Sequence, residues 1–370
     1  MNILAKKEGF AADAKRIIQS IGLPRLIILT FFLLVLLTAH LVGMPLAWFM
    51  GDVLRRWGMW GFLVLAMLPT IQSGIGPNFG VSIGAVAGLV GAVFSMQMRY
   101  SGFFDFAGDP RSVGVGLVGL FVAIFIGIIL GSLMGILYGL LLNRVKGSEM
   151  AITVYVGFSV VALFNIVWSR LPISAGFMLF PGLGEGLRNI INLRDDFGGV
   201  LTNLWSFQIG QMRVPTGLLL LFFFACLCMW LFLRSRTGMM MSAAGANPDY
   251  ARASGINVDK MRILGTTIST ALGAIGIVVY SQGLGFLGLY NAPLTIGFVT
   301  VASVLIGGAT VKRATVFDVL LGAFLFNGIL TVALPLANEL VDAPGLPEMI
   351  RMVLTNGIIL FALTRAKGGR

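Results

Sequence analysis

Eight long stretches of this chain carry no charged residue: Leu26–Gly51, Trp57–Met98, Ser112–Asn143, Met150–Ser169, Val214–Leu233, Ile263–Val311, Val319–Asn338 and Met352–Thr364. A helix that crosses a bilayer needs about 20 apolar residues. The runs 57–98 and 263–311 are long enough for two such helices each. The last run is short, but Glu348, Arg351 and Arg365 can snorkel from its ends. The pattern predicts an all-α polytopic membrane protein with about ten transmembrane helices. They lie near 26–48, 58–75, 80–98, 113–142, 150–169, 214–233, 263–284, 295–311, 316–336 and 348–365. Composition agrees: of 370 residues, 57% are hydrophobic and 11% charged, against about 25% charged in a soluble chain. A soluble enzyme, a disordered protein and a disulfide-stapled domain are all excluded.

The charges then give an orientation. With the N-terminus inside, the inner segments hold 17 basic and six acidic residues, and the outer segments hold nine of each. By the positive-inside rule both termini are cytoplasmic. The formal charge of +11 therefore reads as topology and not as a nucleic-acid surface. Residues 1–25 form a cytoplasmic N-terminal segment without the look of a cleavable signal. Residues 26–366 form one membrane domain, with an inner loop at 234–262 and an outer loop at 170–213 that has room for a short interfacial helix. Cys226 and Cys228 face different sides of one helix and read as packing residues, as does His40, the sole histidine.

Two runs are interrupted. Ser73–Gly74–Ile75–Gly76–Pro77–Asn78–Phe79–Gly80 and Tyr290–Asn291–Ala292–Pro293 cannot continue a regular helix. Each break is either a broken or re-entrant segment lining a solute path or a tight turn at the surface. Gly80, Gly84 and Gly88, and again Gly127, Gly131, Gly135 and Gly139, recur every four residues. Such ridges let another helix approach closely.

No Asp, Glu, Lys or Arg lies in the middle of a span, which disfavours proton or sodium coupling. The polar residues available there include Gln72, Asn78, Ser82, Asn165, Asn327 and Asn356. They suit hydrogen bonds to a neutral polar solute, with Phe79 beside them at the break, or they are bonds between helices. Work on such a solute needs an outside motor gripping the inner loop. In that loop Asn247 suits an N-cap, Pro248 the first helical position, Asp249 the positive helix end and Gly255 the stop. Tyr250 and Arg252 are the docking side chains of the short helix this pattern predicts.

Gly245–Ala246–Asn247–Pro248 with Ala251–Arg252–Ala253–Ser254–Gly255–Ile256–Asn257–Val258 resembles the cytoplasmic signature of bacterial ABC importer permeases. The subgroup is the one serving ribose and other monosaccharides, nucleosides and branched-chain amino acids. Val301–Ala302–Ser303–Val304–Leu305–Ile306–Gly307–Gly308–Ala309–Thr310 resembles that family's later Gly-Gly motif, here followed by Lys312–Arg313. In place of the family's early Gly-Ile-Asp-Leu-Ser-Val-Gly stretch stands Gly76–Pro77–Asn78–Phe79–Gly80–Val81–Ser82–Ile83–Gly84.

The resemblance implies a bacterial inner-membrane translocator for a small polar solute, sugar or nucleoside-like. It implies a second permease, identical or homologous, at whose interface the path lies. It also implies separate ATPase subunits and a periplasmic or lipid-anchored solute-binding protein. The chain itself takes no cofactor: ATP belongs to the partners, because no Gly-x-x-x-x-Gly-Lys-Ser/Thr loop is present. The competing classes are an ion-coupled carrier or channel and a membrane enzyme. For an enzyme, Asp105, Asp109 and Arg111 are the nearest cluster, and they read as solvated surface.

Overall fold

The computed structural model describes residues 23–104, 112–171, 173, 178, 187–340, 349, 352, 353, 356, 357 and 360. Within them the chain is a bundle of long helices. Helix α1 (Leu23–Leu41) turns at Gly43 into α2 (Leu46–Leu65), which α3 (Met67–Gln72) continues. Then come α4 (Val81–Tyr100), α5 (Val113–Arg144) and α6 (Glu149–Trp168). A connecting region holds β1 (Ile190–Asn192), the single turn α7 (Val200–Asn203), β2 (Phe207–Ile209) and β3 (Met212–Val214). After it follow α8 (Thr216–Arg234), α9 (Arg236–Ala246), α10 (Pro248–Ala253), α11 (Val258–Leu284), β4 (Phe286–Gly288), α12 (Ala292–Ile306) and α13 (Val316–Leu340).

Six described helices, α4, α5, α6, α8, α11 and α13, are long and apolar enough to cross a membrane, and Arg25–Leu41 and α12 are shorter apolar helices. The all-α polytopic expectation therefore holds in outline, with two amendments. Four short strands form two antiparallel pairs, β1 with β4 and β2 with β3. The expected span boundaries also shift: 26–48 is cut by the turn after Leu41, and 58–75 overlaps a rod that starts earlier, at Leu46, and ends earlier, at Gln72. The expected span 348–365 falls mostly outside the described residues.

Helix α11 is central, with α2, α4 and α5 packed on it. The glycine ridges explain how closely. Gly131, Gly135 and Gly139 of α5 face Thr270, Thr267 and Ile263 of α11, and Gly84 and Gly88 of α4 face Thr270 and Ala274. A Cβ at Gly84 or Gly88 would collide with a backbone carbonyl of α11. Small residues replace side-chain packing with backbone contact, the main attraction available where lipid is as apolar as leucine. The α2–α3 rod fills the middle, with Met59, Leu63, Leu65, Met67, Leu68 and Ile71 fully buried.

The ion pairs among the described residues form two layers. One layer holds Asp52 with Arg55 and Arg56, and Arg99 with Asp196 at 2.7 Å. The other holds Arg25–Asp318, Lys146–Asp259, Arg252–Asp249 and Arg262–Glu149. The apolar helices run between these layers, as spans must. In the first layer, the loop residue Asp196 has its carboxyl pushed above the ordinary range by burial, against the pull of Arg99.

The two sequence breaks differ. Before the second, Gly285, at φ +83, ends α11 in the first layer, and Phe286–Gly288 pairs with Ile190–Asn192. The break itself, Tyr290–Pro293, leads into α12, and the Pro293 carbonyl accepts from Ser82 Oγ, close to the first break. The first break lies toward the other layer and is buried from Ile75 to Gly80.

Candidate functional site

The elbow between α8 and α11 is built by three caps. Ser235 accepts from the Gly238 amide at 3.3 Å, Asn247 from the Tyr250 amide at 3.0 Å and Asn257 from the Lys260 amide at 2.9 Å. Each satisfies an orphan donor at a helix start and fixes the chain direction there. Pro248 opens α10, and Gly255 ends it at φ +80, as the spacing predicts. Ala251 is buried in a small cluster with Met241, Ala244, Val258 and Met261. The opposite face of α10 is open: Tyr250 is 70% exposed, and Asp249 and Arg252 form an exposed pair at 3.0 Å.

This elbow touches the first break directly. Gly245 lies against the backbone of Gln72 and Gly74, where a Cβ would collide with the Gln72 carbonyl oxygen and the Gly74 nitrogen. Gly74 and Gly76 take φ +80 and +94, which glycine alone adopts at little cost. The amides of Ile75 and Gly76 both donate to the Thr70 carbonyl, closing the end of α3. Gln72 donates through Nε2 to the Ala314 carbonyl at 2.5 Å, which brings in the segment after the Gly-Gly motif.

Beyond the break lies a buried polar knot. Asn78, fully buried, donates to Ser269 Oγ on α11 at 2.9 Å and accepts from the Tyr138 hydroxyl on α5 at 3.1 Å. Ser82 donates to the Pro293 carbonyl at the start of α12 at 2.6 Å. The Phe79 ring packs on Phe298 with centroids 5.4 Å apart, and Phe298 meets Phe158 of α6 at 6.0 Å. Gln72, Asn78, Phe79 and Ser82 thus sit together, and their polar atoms serve hydrogen bonds within the protein.

The other expected residues lie elsewhere. Asn327 is buried but bonds back to Ala323 on its own helix, beside the cluster formed by α1, α2, α12 and α13. Asn356 is helical and exposed. Asn165, on α6, has a buried Oδ1 without a hydrogen-bond partner among the described residues. Helix α6 is the least embedded of the long helices, with 17% of its span buried, and Tyr155, Leu163 and Ile166 exposed.

The Gly-Gly segment has a packing reason. Gly307 abuts the Asp318 carbonyl, and Gly308, at φ +102, lies under the Arg25 guanidinium. Arg25 reaches Asp318 Oδ1 at 2.5 Å, and Oδ2 of Asp318 accepts from the Thr315 amide and hydroxyl, both at 2.8 Å. The polar partners Tyr138, Ser269 and Pro293, and the Arg25–Asp318 pair, escape sequence reasoning. They join residues 60 to 293 positions apart, and no local period carries that information.

Residues 49–363 match the model of the family described as branched-chain amino acid transport system, permease component. The chain belongs to that ABC permease family. The permease is also similar to individual relatives over shorter stretches. It is 29% identical over 163 residues to the nucleoside ABC transporter permease protein NupB of Lactococcus lactis, covering 43% of this chain and 42% of that one. It is 28% identical over 148 residues to the probable ABC transporter permease protein YphD of Escherichia coli, covering 40% and 43%. It is 30% identical over 129 residues to a tyrosine transport system permease protein of Clostridioides difficile, covering 33% and 43%. The permease thus spans less than half the length of these curated relatives. No solved structure matches it. Members of the family are transport subunits and not enzymes, and the apolar helices make this one a multi-pass membrane protein.

Proposed function

We propose that the chain is the permease subunit of an ABC importer in a bacterial inner membrane. Residues 26–366 form its transmembrane domain of about ten spans, with both termini and loop 234–262 cytoplasmic and loop 170–213 outside. Helix α10 docks on an ATPase subunit through Tyr250 and Arg252. A second permease, identical or homologous, faces the exposed side of α6, and a solute-binding protein delivers a small polar solute, sugar or nucleoside-like. ATP is hydrolysed on the partners.

The observation that carries the reading is the seat of Gly245 in the first break. Gly245 lies near the end of α9, next to α10 across the Asn247 cap, and it meets the backbone of Gln72 and Gly74 without an intervening side chain. From there the chain runs directly into the Asn78 knot, which joins α4, α5 and α11. An element gripped from outside the bilayer is thereby in rigid contact with a break inside it. Asn165 Oδ1 on α6 is one of the buried polar atoms that have no hydrogen-bond partner among the described residues.

The test is uptake by vesicles holding the permease with its ATPase and binding protein, using labelled uridine, ribose and tyrosine as probes. Uptake of uridine or ribose that needs ATP and stops with vanadate supports the reading. Tyrosine uptake alone would reassign the solute class. Uptake driven by an ion gradient without ATP would point to a secondary carrier.

A further inference from the structure

We infer that Glu149 and Arg262 form a clamp through which movement of the ATPase-docking elbow reaches α6. The inference rests on the permease–ATPase reading above and names the residues that pass the movement on.

The geometry begins at α10. Ala251 shares its small apolar cluster with Val258 and Met261 in the first turn of α11, so α10 and that turn move as one packed unit. Arg262 follows directly. Its Nη2 donates to Glu149 Oε1 at 2.6 Å, and Glu149 is the first residue of α6. The pair is secluded, with side-chain exposures of 10% for Arg262 and 16% for Glu149. The other carboxylate oxygen, Oε2, accepts from the Gly147 amide at 2.9 Å, which holds the α5–α6 turn in place. Two further links tie that turn to the same end of α11. Lys146 pairs with Asp259 at 2.8 Å, and Asn143 donates to the Asp259 carbonyl at 2.9 Å.

Helix α6 is lightly packed along its length. It meets α4 and α12, and Ile152, Val156 and Val160 lie against the cluster that includes Tyr138 and Leu142 of α5, but most of its span is unburied. A helix so lightly packed takes its position from the strongest bonds at its end. Here those are a charge-assisted hydrogen bond and the strapped turn beside it. The pair also sits at the positive end of α6, where a carboxylate is favoured, so Glu149 is fixed from both sides. Lys146 and Asp259 are about half exposed and solvent-screened, so Glu149–Arg262 carries the connection. Both are positioning residues: neither needs to touch solute or nucleotide.

The experiment uses the permease in complex with its ATPase subunits, with Cys226→Ala and Cys228→Ala as background. One reporter is Leu163→Cys on the exposed face of α6, and a control reporter is Met239→Cys on α9. Maleimide labelling rates are compared with and without ATP plus vanadate. Nucleotide should change both rates at least threefold in the parent. Glu149→Gln and Arg262→Gln should each abolish the response at 163 and keep that at 239, with the ATPase still bound. The double variant should do no more than either single one, because the two side chains act as one unit. If the neutral variants do not assemble, Glu149→Asp with Arg262→Lys keeps both charges and shortens the reach. That pair should at least halve the response at 163. A full response at 163 in the assembling variants overturns the clamp. Silence at both reporters in the parent would instead count against ATPase docking at this elbow.

Discussion

Gly245 and Gln72 meet through their backbones, 173 positions apart in sequence, so closely that no Cβ fits on Gly245. Gly245→Ala must therefore push backbone against backbone, and overpacking of this kind costs about 1–3 kcal/mol. We predict that the variant inserts normally, loses most of its ATP-driven uptake and melts earlier in detergent. Gly255→Ala is the contrast. It has open space and only the left-handed φ of +80 to oppose it, a cost of about 1–2 kcal/mol. Its ATPase binding should weaken while the transmembrane core, read by the melting of the detergent-solubilised chain, stays closer to the parent.

Asn78→Leu removes the acceptor of Tyr138 and the donor to Ser269 at once. Hydrogen bonds between membrane helices are worth about 0.6 kcal/mol on average, and stranding two buried hydroxyls adds to the loss. Uptake should fall strongly while the ATPase still co-purifies. Tyr138→Phe should be milder, and the double variant should cost less than the sum of the two. Uptake kinetics in the Asn78 variant equal to the parent would remove the knot from the working parts.

The sequence periods were enough for the helical class, the two glycine ridges, the first break and the cap-and-stop pattern of α10. Each of these is local: a run of apolar residues, a four-residue repeat, a proline among glycines, an Asn-Pro start. What was not legible is pairing. Nothing near Phe286 announces that Ile190–Asn192 will form a strand beside it, and nothing near Glu149 points to Arg262. Asn327 is a related case. A polar residue in a span looks the same in sequence whether it faces another helix or bonds back to its own, as this one does to Ala323.

Arg25 and Asp318 should matter for stability. Breaking a buried ion pair costs about 3–5 kcal/mol. Here the loss should be at the lower end, since Thr315 still donates twice to Asp318 and the Arg25 side chain is 23% exposed. Arg25→Gln should lower the melting midpoint in detergent, and Asp318→Asn should do the same. Unchanged melting in both would show that α1 is held by its apolar contacts alone.

The proposed orientation rests on 17 basic residues in one set of loops against nine in the other. In intact cells, with the native cysteines replaced, Ile190→Cys should label from outside and Tyr250→Cys should not. The reverse pattern would invert the topology.

Docking through α10 is the central claim, and one measurement tests it most directly. In the Tyr250→Ala, Arg252→Glu double variant both substitutions lie on the open face of a six-residue helix, away from buried Ala251. The chain should insert and fold as before. The amount of ATPase that co-purifies with it should fall at least tenfold, and stimulation of ATP hydrolysis by loaded binding protein should fall with it. Parental ATPase recovery together with parental uptake would contradict the account.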